Sequence, residues 1–235
     1  INSGTAPLGE DLARAVEERI GCTVGQGYGL TETSPVTHHA ATERPERTPH
    51  ASIGPVLPNT EIRIVDVHTG EPVGPGERGE LWIRGPQVMA GYLNQPEATT
   101  EAVDDEGWFH TGDIGYVDEE GDYFIVDRLK ELIKFKGFQV APAELEDVLL
   151  THPGIRDAAV VRSPDEEAGE VPKAFIVSDG SLSEEDVMEY VAERVAPHKK
   201  IRRVEFIDSI PRSRSGKILR RILIDREMEA AEKAS

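Results

Sequence analysis

The sequence is short of cysteine, of long apolar runs and of positive charge, and each shortage closes off a class of explanation. One cysteine, Cys22, stands among 235 residues. No intramolecular disulfide can form, and such usage suits a reducing, cytoplasmic setting. The expectation for Cys22 is a small buried hydrophobe following the apolar stripe of a helix, ahead of a reactive thiol. No stretch approaches the ~20 apolar residues a helix needs to span a bilayer. Lys and Arg number 26 against 44 Asp and Glu, a formal net charge of −18. A chain so acidic repels phosphate and is a poor general nucleic-acid binder. The opening Ile1-Asn2-Ser3-Gly4 has no initiator Met, basic leader or apolar signal core, as expected of a sequence from the middle of a gene product. There is no internal repeat and no low-complexity stretch.

What is present is the mix of a globular protein, 38% hydrophobic and 30% charged, long enough for one large domain or two small ones. Acidic residues crowd 97–122, 165–170 and 184–189, which read as solvated faces. Basic residues gather at 128–136, 198–203 and 212–221, where they could serve a local polyanion.

Residues 9–20 predict a helix, with Leu8, Leu12, Val16 and Ile20 as one apolar stripe and Gly21 as its end. A strand through Thr23-Val24 then runs into GQGYG, which reads as a loop. From 50 to 127 short alternating strands separated by turn residues predict a small β-barrel or sandwich: EIRIVD, GELWIRG, then IGYVD and YFIVD about an EEGD hairpin. After Asp127-Arg128 the pattern turns mixed. Pro142 starts a helix, IRDAAVVR and PKAFIVS are strands, and Ser183 with Asp186 forms a capping box before another helix. RVEFI is a further strand, and ILRRILIDREMEAAEK a last helix. The boundary falls near 127–130.

Four blocks carry candidate chemistry. In Gln26–Thr33, glycines let backbone amides approach phosphate oxygens, Thr31 offers a hydroxyl and Glu32 a hard oxygen ligand for magnesium; a tight structural turn is the equal alternative. In Gly107–Asp113, the terminal acid can accept two ribose hydroxyls or simply end a turn. In Asp127–Val140, Lys130, Lys134 and Lys136 read as solvated, and Gly137 between aromatics suggests a close backbone approach. In Pro211–Lys217, Lys217 on a small-residue loop can carry a point charge to a phosphate or carboxylate, or the loop is merely exposed.

Together, in this order and spacing, the four blocks resemble the adenylate-forming superfamily over nearly the whole chain. VDRLKELIKFKGFQVAPAELE and PRSRSGKILRR look like plant-type 4-coumarate–CoA ligases, beetle luciferases and fatty acyl–CoA synthetases. Peptide-synthetase adenylation domains usually differ at GFQVAPAELE. The resemblance implies a fold that is α/β and α+β. Residues 1–127 would be the end of a large N-terminal domain, with 50–127 as its β-barrel subdomain. Residues 128–130 would be a hinge centred on Lys130, and 131–235 a small mobile C-terminal domain.

It also implies an ATP-dependent acid–CoA ligase using ATP/AMP, Mg2+ and coenzyme A. By resemblance Gly4, Thr5, Ala6 and Pro7 lie against adenine, with Gln26, Gly27, Tyr28 and Gly29 completing the base site. Thr5 departs from the Gly or Ala of many relatives, which puts the fit against adenine in doubt. Thr31 would contact phosphate and Glu32 the metal, while Asp113 and Arg128 would hold the ribose. Lys217 would serve adenylation. Lys134 and Gln139 would serve thioester formation, with Lys136 and Gly137 on the coenzyme side. Gly27, Pro35 and Val36 would line the acyl pocket, for a 4-coumarate-like aromatic acid or a medium- or long-chain fatty acid. The family's phosphate loop, ending Pro-Lys-Gly, is absent from these residues, so the expected partner is a missing N-terminal portion of the same enzyme, as a monomer or homodimer. The rival readings are a superfamily member that does not use CoA, and a non-catalytic binding module.

Overall fold

The computed structural model describes residues 1–4, 8–40, 48–214 and 216–234, with side chains up to residue 229. The chain divides into two compact units, Ile1–Leu129 and Lys130–Ser235.

In the first unit α1 (Glu10–Ile20) ends on Gly21, whose φ of +72° and N–H bond to the Glu17 carbonyl make the left-handed cap that glycine adopts most cheaply. The expected stripe is not what this unit buries. Ala13 is fully buried, whereas Leu12 and Ile20 are 54% and 58% exposed. Cys22 is half-buried and unpaired, short of the expected burial. Strands β1 (Asn2–Ser3), β2 (Gly25–Gly29) and β3 (Val36–His39) form a three-stranded sheet in that order, β2 parallel to β1 and antiparallel to β3. GQGYG is therefore a central strand and not a loop. Its glycines serve close packing: a Cβ on Gly29 would lie 1.7 Å from the Pro35 carbonyl oxygen. That steric demand overrides glycine's poor strand propensity.

Strands β4 (Glu61–Val65), β5 (Gly79–Arg84), β6 (Phe109–Val117) and β7 (Tyr123–Arg128) make an antiparallel four-stranded sheet in chain order. The described pairings include none between β4 and β7. Along β5 the alternation is realised, with Leu81 and Ile83 buried and Glu80, Trp82 and Arg84 on the other face. Trp108 is buried beneath the Arg63 and Arg84 guanidiniums, 4.1 and 4.4 Å from its ring centroid. A short helix, α2 (Pro96–Ala102), was not expected. It buries none of its residues and so carries no apolar period to betray it.

The second unit opens with the hairpin β8 (Ile133–Phe135) and β9 (Phe138–Val140) and continues with α3 (Pro142–Leu150). Strands β10 (Ile155–Asp165) and β11 (Gly169–Ser178) follow, then α4 (Glu184–Ala192), β12 (Arg203–Phe206) and α5 (Arg220–Ala234). The sheet order is β10-β11-β8-β9, with β12 parallel to β11. Ala158 and Val160 of β10 join the core under α3 and α4, while Ala159 and Val161 join the core that includes Leu223 of α5. A strand covered on both faces loses alternation and reads as a continuous apolar run, as AAVV does here. The Ser183–Asp186 capping box forms as expected, each side chain bonding the other's backbone N–H. Among the described residues no helix is long and apolar enough to cross a membrane.

Candidate functional site

In the first unit two expected site residues, Tyr28 and Arg128, converge on a third, Asp113. Its carboxylate accepts the Tyr28 hydroxyl at 2.6 Å on Oδ2 and the Arg128 Nε–H at 3.0 Å on Oδ1. Sheet register accounts for the meeting: Asp113 and Arg128 are cross-strand partners of β6 and β7, while Tyr28 comes from β2. Burial, then the Asp113 charge, push the Tyr28 phenol well above its usual pKa, so it stays protonated and donates. Asp113 is 4% exposed, whereas the Arg128 side chain is 55% exposed. Segment 107–113 is thus a turn only at its start, where Gly107 N–H bonds the Asp104 carbonyl at 3.0 Å. Residues 109–113 belong to β6, with Gly112 at φ +69°.

Glu32 sits in a 3-10 turn, Thr31–Thr33, fastened by Leu30 N–H donating to Thr33 Oγ1 at 3.0 Å. Tyr92 donates its hydroxyl to Glu32 Oε1 at 2.8 Å, and Met89 N–H bonds the Glu32 carbonyl at 2.7 Å. Among the described residues no cluster of three or more His, Cys, Asp or Glu could hold a metal unaided. A single carboxylate is still the donor magnesium takes when substrate phosphates supply other ligands. Thr31, Pro35 and Val36 are exposed around the same turn.

Gln26, expected at the base, bonds two segments of its own unit. It is buried, and its amide donates to the Leu8 and His50 carbonyls at 2.9 and 2.7 Å and accepts Leu8 N–H at 3.0 Å. Both amide protons are therefore spent on holding chain segments together. A Cβ on Gly4 would meet the Gly27 carbonyl at 3.5 Å, so these two expected residues are neighbours. Thr5, Ala6 and Pro7 lie outside the described residues.

Behind Tyr28, with ring centroids 5.7 Å apart, lies the fully buried His38. Burial lowers its pKa from 6.5 to about 3, so the fold holds it neutral while the unfolded chain protonates it. Stability from this group is complete above pH 6.5 and is lost as the pH falls towards 3, by roughly 4 kcal/mol. Urea midpoints measured from pH 7 to 3 are expected to fall more steeply for the parent than for His38→Phe. Parallel pH profiles would refute the assignment.

In the second unit Lys134 and Gln139 are cross-strand partners on β8 and β9, both exposed. Lys136 and Gly137 form the tight turn between them, at φ +47° and +86°. Nothing in the chain lies within 4 Å of a Cβ built on Gly137, so within the chain its glycine answers the positive φ. Lys217 stands on another loop and is exposed. Ser213 N–H bonds the Lys217 carbonyl at 2.9 Å, and Arg212 pairs with Asp157 through two bonds, of 2.7 and 3.3 Å. Lys130 begins this unit; its carbonyl accepts Arg162 Nη1–H at 3.0 Å.

Four residues beside these sites went unnoticed in the sequence: His38, Tyr92, Glu80 and Thr111. Glu80 and Thr111 bond the β6 segment that ends on Asp113. Glu80 lies on the outward face of an alternating strand, where a charged side chain reads as solvated, and Tyr92 lies in an aperiodic loop.

The chain has known counterparts. Residues 1–93 match the AMP-binding enzyme family, and residues 144–217 match the AMP-binding enzyme C-terminal domain. The chain is 52% identical over 229 residues to a 4-coumarate–CoA ligase of Pinus taeda, covering 96% of this chain and 43% of that protein. It therefore spans about two fifths of that relative's length. Its structure is similar to ATP-bound MatB from Rhodopseudomonas palustris, with TM-score 0.88, 32% identity and coverage of 96% and 44% of the two chains. It is also similar to o-succinylbenzoate CoA synthetase (MenE) from Bacillus subtilis in complex with the acyl-adenylate OSB-AMP, with TM-score 0.85, 35% identity and coverage of 94% and 45%. The chain belongs to the AMP-binding enzyme family, whose two matches together take in more than half of it.

Proposed function

We propose that this chain supplies part of a cytoplasmic, ATP-dependent acid–CoA ligase acting on a 4-coumarate-like aromatic acid. The observation that carries the proposal is the 52% identity, over 96% of the chain, to a protein named a 4-coumarate–CoA ligase. The site chemistry agrees with it. In the first step a carboxylate oxygen bonds the α-phosphorus of ATP and pyrophosphate leaves, giving acyl-AMP. In the second the CoA thiol attacks the acyl carbon, AMP leaves and the thiol proton is released.

Asp113, held by Tyr28 and Arg128, is the acceptor for ribose hydroxyls. Gly27 and Gly29 belong to the β2 backbone beside the nucleotide, and Thr31 contacts phosphate. Glu32 would hold Mg2+, which supplies charge neutralisation on the phosphates. Two anions must meet in the first step, and the Lys217 ammonium between them offsets a repulsion that is large in a water-poor site. Lys134, Lys136, Gly137 and Gln139 serve the second step, Pro35 and Val36 line the acyl pocket, and a hinge at Lys130 presents the two sets in turn.

The test assays the complete gene product with ATP, CoA and a panel of aromatic and aliphatic carboxylic acids. Pyrophosphate release, CoA consumption and thioester formation in equal amounts, fastest with hydroxycinnamates, is the expected result. Pyrophosphate release without CoA consumption would reject the ligase, and preference for a long-chain acid would reject the substrate class.

A further inference from the structure

Resting on the reading of Asp113 as the ribose acceptor, we propose that Glu80 is a positioning residue for nucleotide binding: its carboxylate sets the bulge in β6 that delivers Asp113. The register of β5 and β6 shows the bulge directly. Glu80 faces Ile114 and Trp82 faces His110, so Leu81 alone stands opposite Thr111, Gly112 and Asp113. Such insertions twist a strand and redirect the side chains that follow.

A bulge leaves backbone groups without ladder partners, and here four backbone groups are met by named partners. Gly112 N–H donates to Glu80 Oε1 at 2.7 Å, and the Gly112 carbonyl accepts Leu129 N–H at 2.8 Å. Thr111 Oγ1 donates to the Leu81 carbonyl at 2.8 Å and accepts Asp113 N–H at 3.0 Å. Gly112, at φ +69°, supplies the left-handed conformation the insertion requires. The second Glu80 oxygen accepts Trp82 Nε1–H at 3.0 Å, and the indole stacks on His110 with centroids 3.9 Å apart. The carboxylate is thereby locked at one end by an aromatic stack while it holds the bulge at the other.

The geometry separates positioning from general stability. Loss of Glu80 frees the Gly112 N–H, and the bulge relaxes at the residue next to Asp113. Ribose hydroxyls would then lose their acceptor geometry, while base and phosphate contacts remain. A change in fold stability alone lowers the amount of active protein equally for every nucleotide.

The experiment compares kcat/KM for ATP and for 2′,3′-dideoxy-ATP in acyl-adenylate formation by the complete gene product. It uses the parent, Asp113→Ala, Glu80→Ala, Glu80→Gln and Thr111→Val. Asp113→Ala should abolish the parent's preference for ATP. Glu80→Ala should reduce that preference by about tenfold, the worth of one charge-assisted hydrogen bond, mostly through KM. Glu80→Gln, whose amide oxygen still accepts Gly112 N–H, should keep most of the preference, and Thr111→Val should lose part of it. Loss of preference in Asp113→Ala with an unchanged ratio in Glu80→Ala overturns the positioning role alone. An unchanged ratio in Asp113→Ala overturns the ribose reading and the proposal with it. Should Glu80→Ala fail to fold, an unchanged ratio in Thr111→Val overturns the proposal.

Discussion

Lys217→Ala in the complete gene product is expected to lower acyl-adenylate formation by ~10²–10³-fold, the usual loss when one charge-stabilising donor is removed. It should leave thioester formation from supplied acyl-AMP and CoA near the parent rate. The local structure makes the substitution a clean one. The loop around Lys217 is held by backbone bonds from Ser213 and Gly216 and by the Arg212–Asp157 pair. None of these uses the Lys217 side chain, which is exposed. Alanine therefore deletes the ammonium and its reach while keeping the loop. Lys134→Ala makes the converse experiment, because Lys134 stands on a different element, β8, paired with Gln139. It should slow the thioester step more than adenylation. Equal loss of both partial reactions in Lys217→Ala would sink the step-specific role.

The sequence announced those elements in which local pattern and tertiary context agree. Alternation marked β5 because one of its faces is buried and the other is not. The Ser183–Asp186 box marked α4 because its chemistry is contained within four residues. Where context overrules propensity the pattern misleads. Gly25–Gly29 has the composition of a loop, yet it is a central strand because the Pro35 backbone packs where a Gly29 side chain would be. The stripe of α1 predicts burial that the described residues of its unit do not provide for Leu12 and Ile20. The same division holds for the site. Asp113 and Arg128 stood out through sequence blocks, and sheet register then made them partners. Glu80, Tyr92 and His38 act through contacts made 32, 60 and, for the aromatic packing of His38 on Tyr123, 85 residues away, and nothing in their local sequence signals such reach.

A large effect on stability is expected at Arg220, the first residue of α5. Its guanidinium, 15% exposed, bonds Glu146 of α3 at 2.5 Å and Glu131 at 3.2 Å. The other Glu146 oxygen accepts Val160 N–H from β10 at 2.8 Å. One carboxylate thus ties a helix to the sheet and to the start of α5, three residues beyond Lys217. Arg220→Ala takes the guanidinium from the buried Glu146 carboxylate, which costs ~3–5 kcal/mol when a buried pair is broken from one side. Urea unfolding should show that loss. Arg220→Lys should recover only part of it, since an ammonium cannot fork between two carboxylates. The discriminating variant is the double replacement Arg220→Met with Glu146→Leu. An apolar pair of similar volume removes the buried carboxylate together with the guanidinium, and replacements of this kind are often neutral or stabilising. A double variant near the parent's stability, beside a badly destabilised single one, would assign the cost of Arg220→Ala to the stranded Glu146 charge. Loss in the double variant as large as in the single would instead assign it to the anchoring of α5 through the guanidinium, the contact that both variants remove, with the Val160 N–H losing its acceptor in the double variant alone.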